Sequence, residues 1–483
     1  GELMMADGGS VGGKGIGARV LRKEDARHLA GKGKFTSDLK RPGQKEMAFV
    51  RAPVAHAHIK SISKPAGYEY AIFTPEDLPG LKPMRALSKL PGYKLSDYPA
   101  LAAGKVRFAG EPVAVCVADS RADAEDIAQM VEVEYDILPA VTDMLAAKKP
   151  DAPLVHDEWE DNIVFETFSD DDFQKIADEA TVVIRREYRM NRQAMNPMEG
   201  KAVFAEWDDR QDQLMMWTST QVPHLIRNGL AEFLDLEQRQ VRVIAPDVGG
   251  GFGCKALLQP EELVAGYLTR KLECPIRWIE DRREHLVTGA NCREHHYQIT
   301  LHATPDGRML GLDCDVTVDA GAYSVYPFTN GLEGAMAHGN LPGPYDFKAY
   351  KCRTQTTVTN KPGLMPYRGV ARPGVCFAME MTIDALAREI GMEAHEIRMK
   401  NMVPESAMPF MSIAKKHFDS GNYAKSVEMA VDMIGLEKVR ASQGVPTDDG
   451  RIIGVGMGSY VEQTAHGTSV FSSWGVAMVP GYE

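Results

Sequence analysis

Cysteine is scarce in this chain and odd in number. Seven residues (Cys116, Cys254, Cys274, Cys292, Cys314, Cys352 and Cys376) are scattered with no C-x-x-C spacing. That excludes an iron–sulfur or zinc cassette written locally in the sequence. Long hydrophobic runs are also missing. No stretch reaches the roughly 18 apolar residues that a membrane-spanning helix needs. The N-terminus lacks a basic region followed by an apolar one, so no secretory signal is read and the cytoplasm is expected by default. Positive charge is in deficit. A net charge of −12 and a pI near 5.6 argue against non-specific nucleic-acid binding. Histidines are dispersed. Only His56 and His58 share H-x-H spacing, beside the adjacent pair His295 and His296, and no third ligand follows from the sequence. Any metal is therefore expected to arrive inside an organic cofactor.

What remains is an ordinary globular composition, 44% hydrophobic and 25% charged over 483 residues. This length predicts two or three domains. Residues 1–15 read as a disordered tail. An α/β unit follows over 16–145. Within it, Glu111–Ala118 suits a buried strand, Ala122–Met130 a helix, and Val131, Val133 and Tyr135 a half-exposed strand. Residues 146–178 are rich in proline and acid and read as a surface connection, with the run Asp170–Asp172 on a solvated face.

Strand signals resume at Ala180. Val203–Trp207 and Leu214–Trp217 predict a hairpin, and Val222–Leu234 predicts a helix. Val241–Ile244 predicts a strand, and Pro260–Leu272 predicts a helix with its proline and carboxylates in the first turn. Leu312, Cys314, Val316 and Val318 alternate as in a strand with one buried face. Phe377–Ile390 predicts an amphipathic helix with Gly391 at its C-terminal cap. The second unit spans 146–415. A third, 416–483, opens with a helix after Tyr423 and a Gly-rich strand near Gly454–Glu462, and it ends in what reads as mid-hairpin.

The most informative run is Asp247-Val248-Gly249-Gly250-Gly251-Phe252-Gly253-Cys254-Lys255. Its glycines leave a nearly bare backbone that a bulky ligand can approach. It is not a P-loop, because Cys254 precedes Lys255 and Ala256 follows it. It also lacks G-x-G-x-x-G spacing.

This run resembles the G-G-G-F-G-x-K stretch of the molybdenum-binding large subunits of the xanthine dehydrogenase and aldehyde oxidase family. Trp217-Thr218-Ser219-Thr220-Gln221, Asp319-Ala320-Gly321-Ala322-Tyr323 and Pro366-Tyr367-Arg368-Gly369-Val370-Ala371-Arg372-Pro373 resemble further family motifs, in family order. Asn196–Gly200 resembles the family's M-E-P stretch. The bacterial three-subunit branch, which includes carbon monoxide dehydrogenase large chains, looks closest.

The resemblance implies a mixed α/β (α+β) architecture: an N-terminal hammerhead-type domain, then molybdenum-cofactor-binding domains, the last of them incomplete. It implies a molybdenum–molybdopterin cofactor, usually the cytosine dinucleotide form in bacteria. It also implies 2Fe-2S clusters and FAD on small and medium partner subunits, in a dimer of heterotrimers acting on a small molecule. Gly250, Gly251, Phe252 and Gly253 would approach the metal's ligands, with Phe252 shielding them from water. The Gln221 amide would hydrogen-bond an oxo group, and Arg368 would lie near metal and pterin. Glu199 would be structural, and Glu280, Arg282, Arg283 and Glu284 would form a salt-bridge network.

Three departures bear on substrate. Gly369 stands where carbon monoxide oxidisers carry a copper-binding cysteine, so no copper site is expected. Ala256 and, by hand alignment, Gly334 stand where purine oxidisers carry a glutamate and an arginine. An aldehyde or an N-heteroaromatic compound is expected instead. The family's catalytic glutamate and its G-Q-G motif match nothing before Glu483. The chain is therefore expected to be a fragment or one half of a split subunit, inactive alone. The competing reading is a non-catalytic cofactor-binding half awaiting its complement.

Overall fold

The computed structural model describes residue 15, residue 18, and residues 20–289, 291–464, 467–473 and 476. Two mixed sheets organise the molecule. The larger has seven strands in the order Val241–Ile244, Gln213–Thr218, Ala202–Asp208, Ile276–Ile279, Lys45–Arg51, Pro112–Ala118, Ile72–Phe73. This single hydrogen-bonded sheet crosses the expected boundary at 145. Lys45 pairs in parallel with Ile276. Met47, Val115, Val117, Val203, Leu214 and Ile276 share one core with Leu263, Val264 and Leu268 of the Pro260–Leu272 helix. Burying aliphatic side chains of this size contributes about 2 kcal/mol each, which binds the two chain regions together.

The second sheet has five strands in the order Ile163–Asp170, Ala349–Thr357, Met309–Asp319, His295–Ala303, Val182–Met190. The helices Gly331–Asn340 and Arg372–Ile390 share a core with it through Met336, Val375, Met379 and Ile383. A three-stranded sheet, Lys105–Val106, Ala57–Ser63 and Glu132–Ile137, completes the N-terminal unit.

Several predicted elements need correction. Residues 146–178 do not form a plain surface connection. Ile163–Asp170 is an edge strand paired antiparallel with Ala349–Thr357, and its Val164 and Phe165 are buried. Its apolar run, Ile163–Phe165, is only three residues long, so the strand is specified by its distant partner rather than by its own period. Within the acidic run, Asp171 accepts a hydrogen bond from the Tyr350 N–H at 3.0 Å. The helix predicted from Phe377 begins at Arg372, where Pro373 occupies the first turn. The segment around Gly454–Glu462 is not assigned to a ladder. It docks instead through Ser459 N–H to Glu380 Oε2 at 2.8 Å and Arg398 Nη2 to Met457 O at 3.3 Å. The predicted tail (apart from Gly15) and the end at Gly481–Glu483, read as mid-hairpin, lie outside the described residues.

Candidate active site

Two neighbouring parallel strands deliver the first two motifs. Gln213–Thr218 and Val241–Ile244 run side by side with Trp217 opposite Ile244. Gln221 and the glycine loop therefore leave the same edge of the sheet. The carboxyl ends of parallel strands are where open sheets present ligand sites.

Main-chain contacts then lock the loops together. The Gly253 N–H donates to Gln221 Oε1 at 2.9 Å. Gln221 N–H and Thr220 Oγ1 both donate to Lys255 O, at 2.9 and 3.1 Å. A Cβ built on Gly251 would fall 2.4 Å from Gln221 Oε1. With its oxygen engaged, the exposed Gln221 amide keeps its N–H₂ donors for a ligand.

The third motif closes on the same place. The Arg368 N–H donates to Phe252 O at 2.8 Å. Gly253 has φ +114, and a Cβ there would lie 2.1 Å from Pro366 O. No other residue fits between these two backbones. Phe252 adopts φ +57, its ring folds over Gly250, and the residue is 43% exposed. The structure thus brings Gln221, Gly250, Gly251, Phe252, Gly253 and Arg368 to one junction. The Arg368 side chain is exposed, with no ion-pair or hydrogen-bond partner among the described residues.

Behind the loop lies a buried ionic prop. Lys255, 1% exposed, donates to Glu199 Oε2 at 2.7 Å and to Glu199 O at 2.9 Å. The same carboxylate accepts the Gly249 N–H at 2.7 Å. Burial pulls the Lys255 ammonium below its ordinary value, and Glu199 pulls it back. Glu199 therefore holds the loop from behind. Burial pushes the Cys254 thiol up to about 11, which leaves it unreactive. In front of the loop, Asp247 pairs with Arg27 and accepts the Lys34 N–H at 2.7 Å, tying the N-terminal segment to the loop's entrance.

The arginine loop has its own supports, which the sequence reading missed. Glu333 Oε1, buried on the Gly331–Asn340 helix, accepts the Ala371 N–H at 3.0 Å and contacts His295 Nε2 at 3.0 Å. This holds Ala371 at φ +60, a rare conformation for a residue with a side chain. Arg293 stacks on Tyr367 at 4.0 Å and donates to Tyr367 O at 3.2 Å. No sequence signal linked these partners, because they meet only in the fold. The charged cluster at 280–284 is a salt-bridge network only in part, because Arg282 donates to Pro197 O at 2.8 Å rather than to a carboxylate. Glu284 pairs with Arg51 at 3.1 Å, and Glu280 Oε2 accepts the Lys201 N–H at 2.8 Å. Gly334 is buried, and a Cβ there would lie 2.4 Å from Thr356 Oγ1, so this position offers the site no side chain.

These loops form a cradle of main-chain groups, an amide N–H₂ and a guanidinium without partners among the described residues, whose glycine positions admit no side chain. Such a cradle suits a rigid, polar cofactor that packs against backbone. The comparisons decide the family. The molybdopterin cofactor-binding domain matches residues 155–402. The a/b hammerhead domain of aldehyde oxidase and xanthine dehydrogenase matches residues 30–139. The chain belongs to the molybdopterin-binding large subunits of the xanthine dehydrogenase and aldehyde oxidase family.

Among its relatives in this family is the nicotine 6-hydroxylase large subunit of Paenarthrobacter nicotinovorans. It is 33% identical, with 96% of this chain and 57% of the relative covered. The carbon monoxide dehydrogenase large chain of Hydrogenophaga pseudoflava is 32% identical over 94% of this chain and 59% of the relative. The crystal structure of quinoline 2-oxidoreductase from Pseudomonas putida 86 superposes with a TM-score of 0.90 at 34% identity, covering 95% of this chain and 59% of that one. The chain thus spans under three-fifths of the length of these relatives. Among the described residues, no helix is long and apolar enough to cross a membrane.

Proposed function

We propose that the chain forms the cofactor-binding part of a cytoplasmic molybdenum hydroxylase. The enzyme oxidises an electron-poor carbon of an N-heteroaromatic compound or an aldehyde, with water as the oxygen source. One observation carries this reading: the junction of Gln221, the glycine loop and Arg368, at which side chains are excluded and polar donors are left free. When bound, a molybdenum–molybdopterin cofactor supplies the two-electron redox centre. This chain's residues position it. Main chain at Gly250–Gly253 and the Gln221 amide would hold it, and Phe252 would shield it from water. Arg368 adds a permanent positive charge beside the reacting centre.

The names of two relatives, a nicotine hydroxylase and a quinoline oxidoreductase, support the heteroaromatic class. Ala256 and Gly334 offer no charged anchor for a purine. Gly369 at φ +80 is in a conformation that a cysteine rarely adopts, which argues against a copper ligand there. The reading includes the cytosine dinucleotide form of the cofactor. It also includes an iron–sulfur small subunit and an FAD medium subunit, in a dimer of heterotrimers. Units at 16–145, 146–415 and 416–483 are its domain division. The catalytic glutamate is assigned to sequence matching the relatives beyond Glu483, on this polypeptide or on a complementary half-subunit.

The test is purification from the native host with every associated polypeptide retained. Molybdenum per chain is measured, and so is ¹⁸O transfer from water into quinoline or nicotinate. Near-stoichiometric molybdenum with labelled product supports the reading. A folded, complete assembly without molybdenum would sink it.

A further inference from the structure

Beside the junction lies a second polar feature that the reading above does not use. Arg293 and Arg372 are each only 7% exposed. Arg372 Nε and Nη2 and Arg293 Nε are buried with no hydrogen-bond partner among the described residues. The two residues flank Gly369: the Arg372 N–H donates to Gly369 O at 2.8 Å, and Arg293 reaches it through Nη2, which also donates to Tyr367 O at 3.2 Å. A Cβ built on Gly369 would lie 3.4 Å from Glu462 Oε2 and 3.7 Å from Arg293 Nη2. Arg372 Nη1 stands 3.5 Å from Glu462 Oε1, an ion pair too loose for a hydrogen bond.

Positive charge is in excess here. Lys416 is pushed down to about 8 by burial and then by Arg372. The carboxylates nearby are Glu333 and Glu462. Glu333 is already engaged by His295 and the Ala371 N–H, and Glu462 is 37% exposed on a segment outside any ladder. The 19-residue helix that begins at Arg372 turns its positive end toward the same point. A guanidinium stays charged when buried, so its unmade hydrogen bonds are costly unless something completes them.

We propose that Arg372 and Arg293 form an oxyanion-binding subsite beside Gly369, which takes a carboxylate or phosphoryl group of a small ligand and whose mouth Glu462 occupies until that ligand displaces it. The subsite stands without the hydroxylase reading. Only the identity of the molecule carrying the oxyanion, an acid substrate or a phosphorylated cofactor, rests on that reading.

The full 483-residue chain is titrated with sodium phosphate, sodium acetate and sodium pyridine-3-carboxylate at constant ionic strength, with chloride as control. Calorimetry and the melting temperature are the readouts. At least one probe is expected to bind saturably above the chloride control. Arg372→Gln weakens that binding at least tenfold. Glu462→Gln removes the competing carboxylate and tightens it several-fold. Circular dichroism without added anion checks that both variants fold, and the Glu462 variant keeps the test alive should Arg372→Gln not fold. Binding of phosphate alone assigns a phosphoryl carrier, and binding of a carboxylate assigns an acid. Binding of no probe, or binding that both variants leave unchanged, overturns the proposal. Molybdenum content plays no part in this readout, so failure here and failure of the hydroxylase reading are distinguishable.

Discussion

The glycine loop at 249–255 and the arginine loop at 366–374 face each other across one main-chain hydrogen bond, Arg368 N–H to Phe252 O. They are held by different means. The glycine loop is shaped by missing side chains. Three of its positions would place a Cβ within 2.5 Å of Glu199, Gln221 or Pro366. The arginine loop is shaped by side chains that reach it from elsewhere: Glu333 from a helix, Arg293 from a strand end, Glu462 from a distant extended segment. A loop built by steric exclusion has one geometry and little tolerance. A loop propped by charges keeps unmade hydrogen bonds that a ligand can complete. The site thus pairs a rigid wall with a responsive one.

Substitutions can break this contrast, the largest effect coming first. Gly253→Ala sets a methyl group against Pro366 O, a backbone atom that cannot swing aside, at a φ of +114. Strain and overpacking together cost on the order of 4 kcal/mol. Urea unfolding should show it, and a loss under about 1 kcal/mol would mean that the wall is not rigid.

Next is Lys255→Met, which leaves the Glu199 carboxylate uncompensated behind the loop. Breaking a buried pair in this way costs about 3 kcal/mol. The double variant with Glu199→Gln should recover much of that loss. Absence of recovery would refute the prop.

A smaller, pH-dependent effect serves as a reference outside both loops. Burial raises the Glu111 carboxyl to about 7 from 4.5, while the Arg107 N–H and Tyr323 hydroxyl donate to it. The folded state therefore holds this proton more tightly than the unfolded state. Glu111's contribution to stability is full below about 4.5 and is lost as pH rises toward 7. Glu111→Gln removes that loss, so its melting temperature should gain on the wild type between pH 5 and pH 8. A gap that stays constant with pH would contradict the assignment.

Arg368→Ala is expected to change stability least, by under about 0.5 kcal/mol, because its side chain is exposed and unpaired. In the complete enzyme it should still lower kcat by about a hundredfold. Unchanged turnover would remove Arg368 from the site.

Much of this was legible in the residues. The strand Val241–Ile244 and the helix Pro260–Leu272 lie where their patterns put them, because a short apolar run and a proline-led amphipathic stretch carry their own instructions. The glycine loop announced itself for a similar reason, since a backbone approach at this density has one affordable residue type. Ile163–Asp170 was illegible, because its buried pair Val164 and Phe165 is too short to set a period. Glu333, Arg293, Arg372 and Glu462 were illegible as a group. Each alone reads as an ordinary charged residue.

The sequence by itself determined the family, the order of the three loops and the positions that must be glycine. It could do so because local conformation and steric exclusion are properties of short segments. The tertiary structure alone decided that Gln221 meets Gly253, that Lys255 and Glu199 brace the loop, and that two buried arginines flank Gly369. Those outcomes depend on which strands run parallel and where their ends fall, and no short segment carries that information.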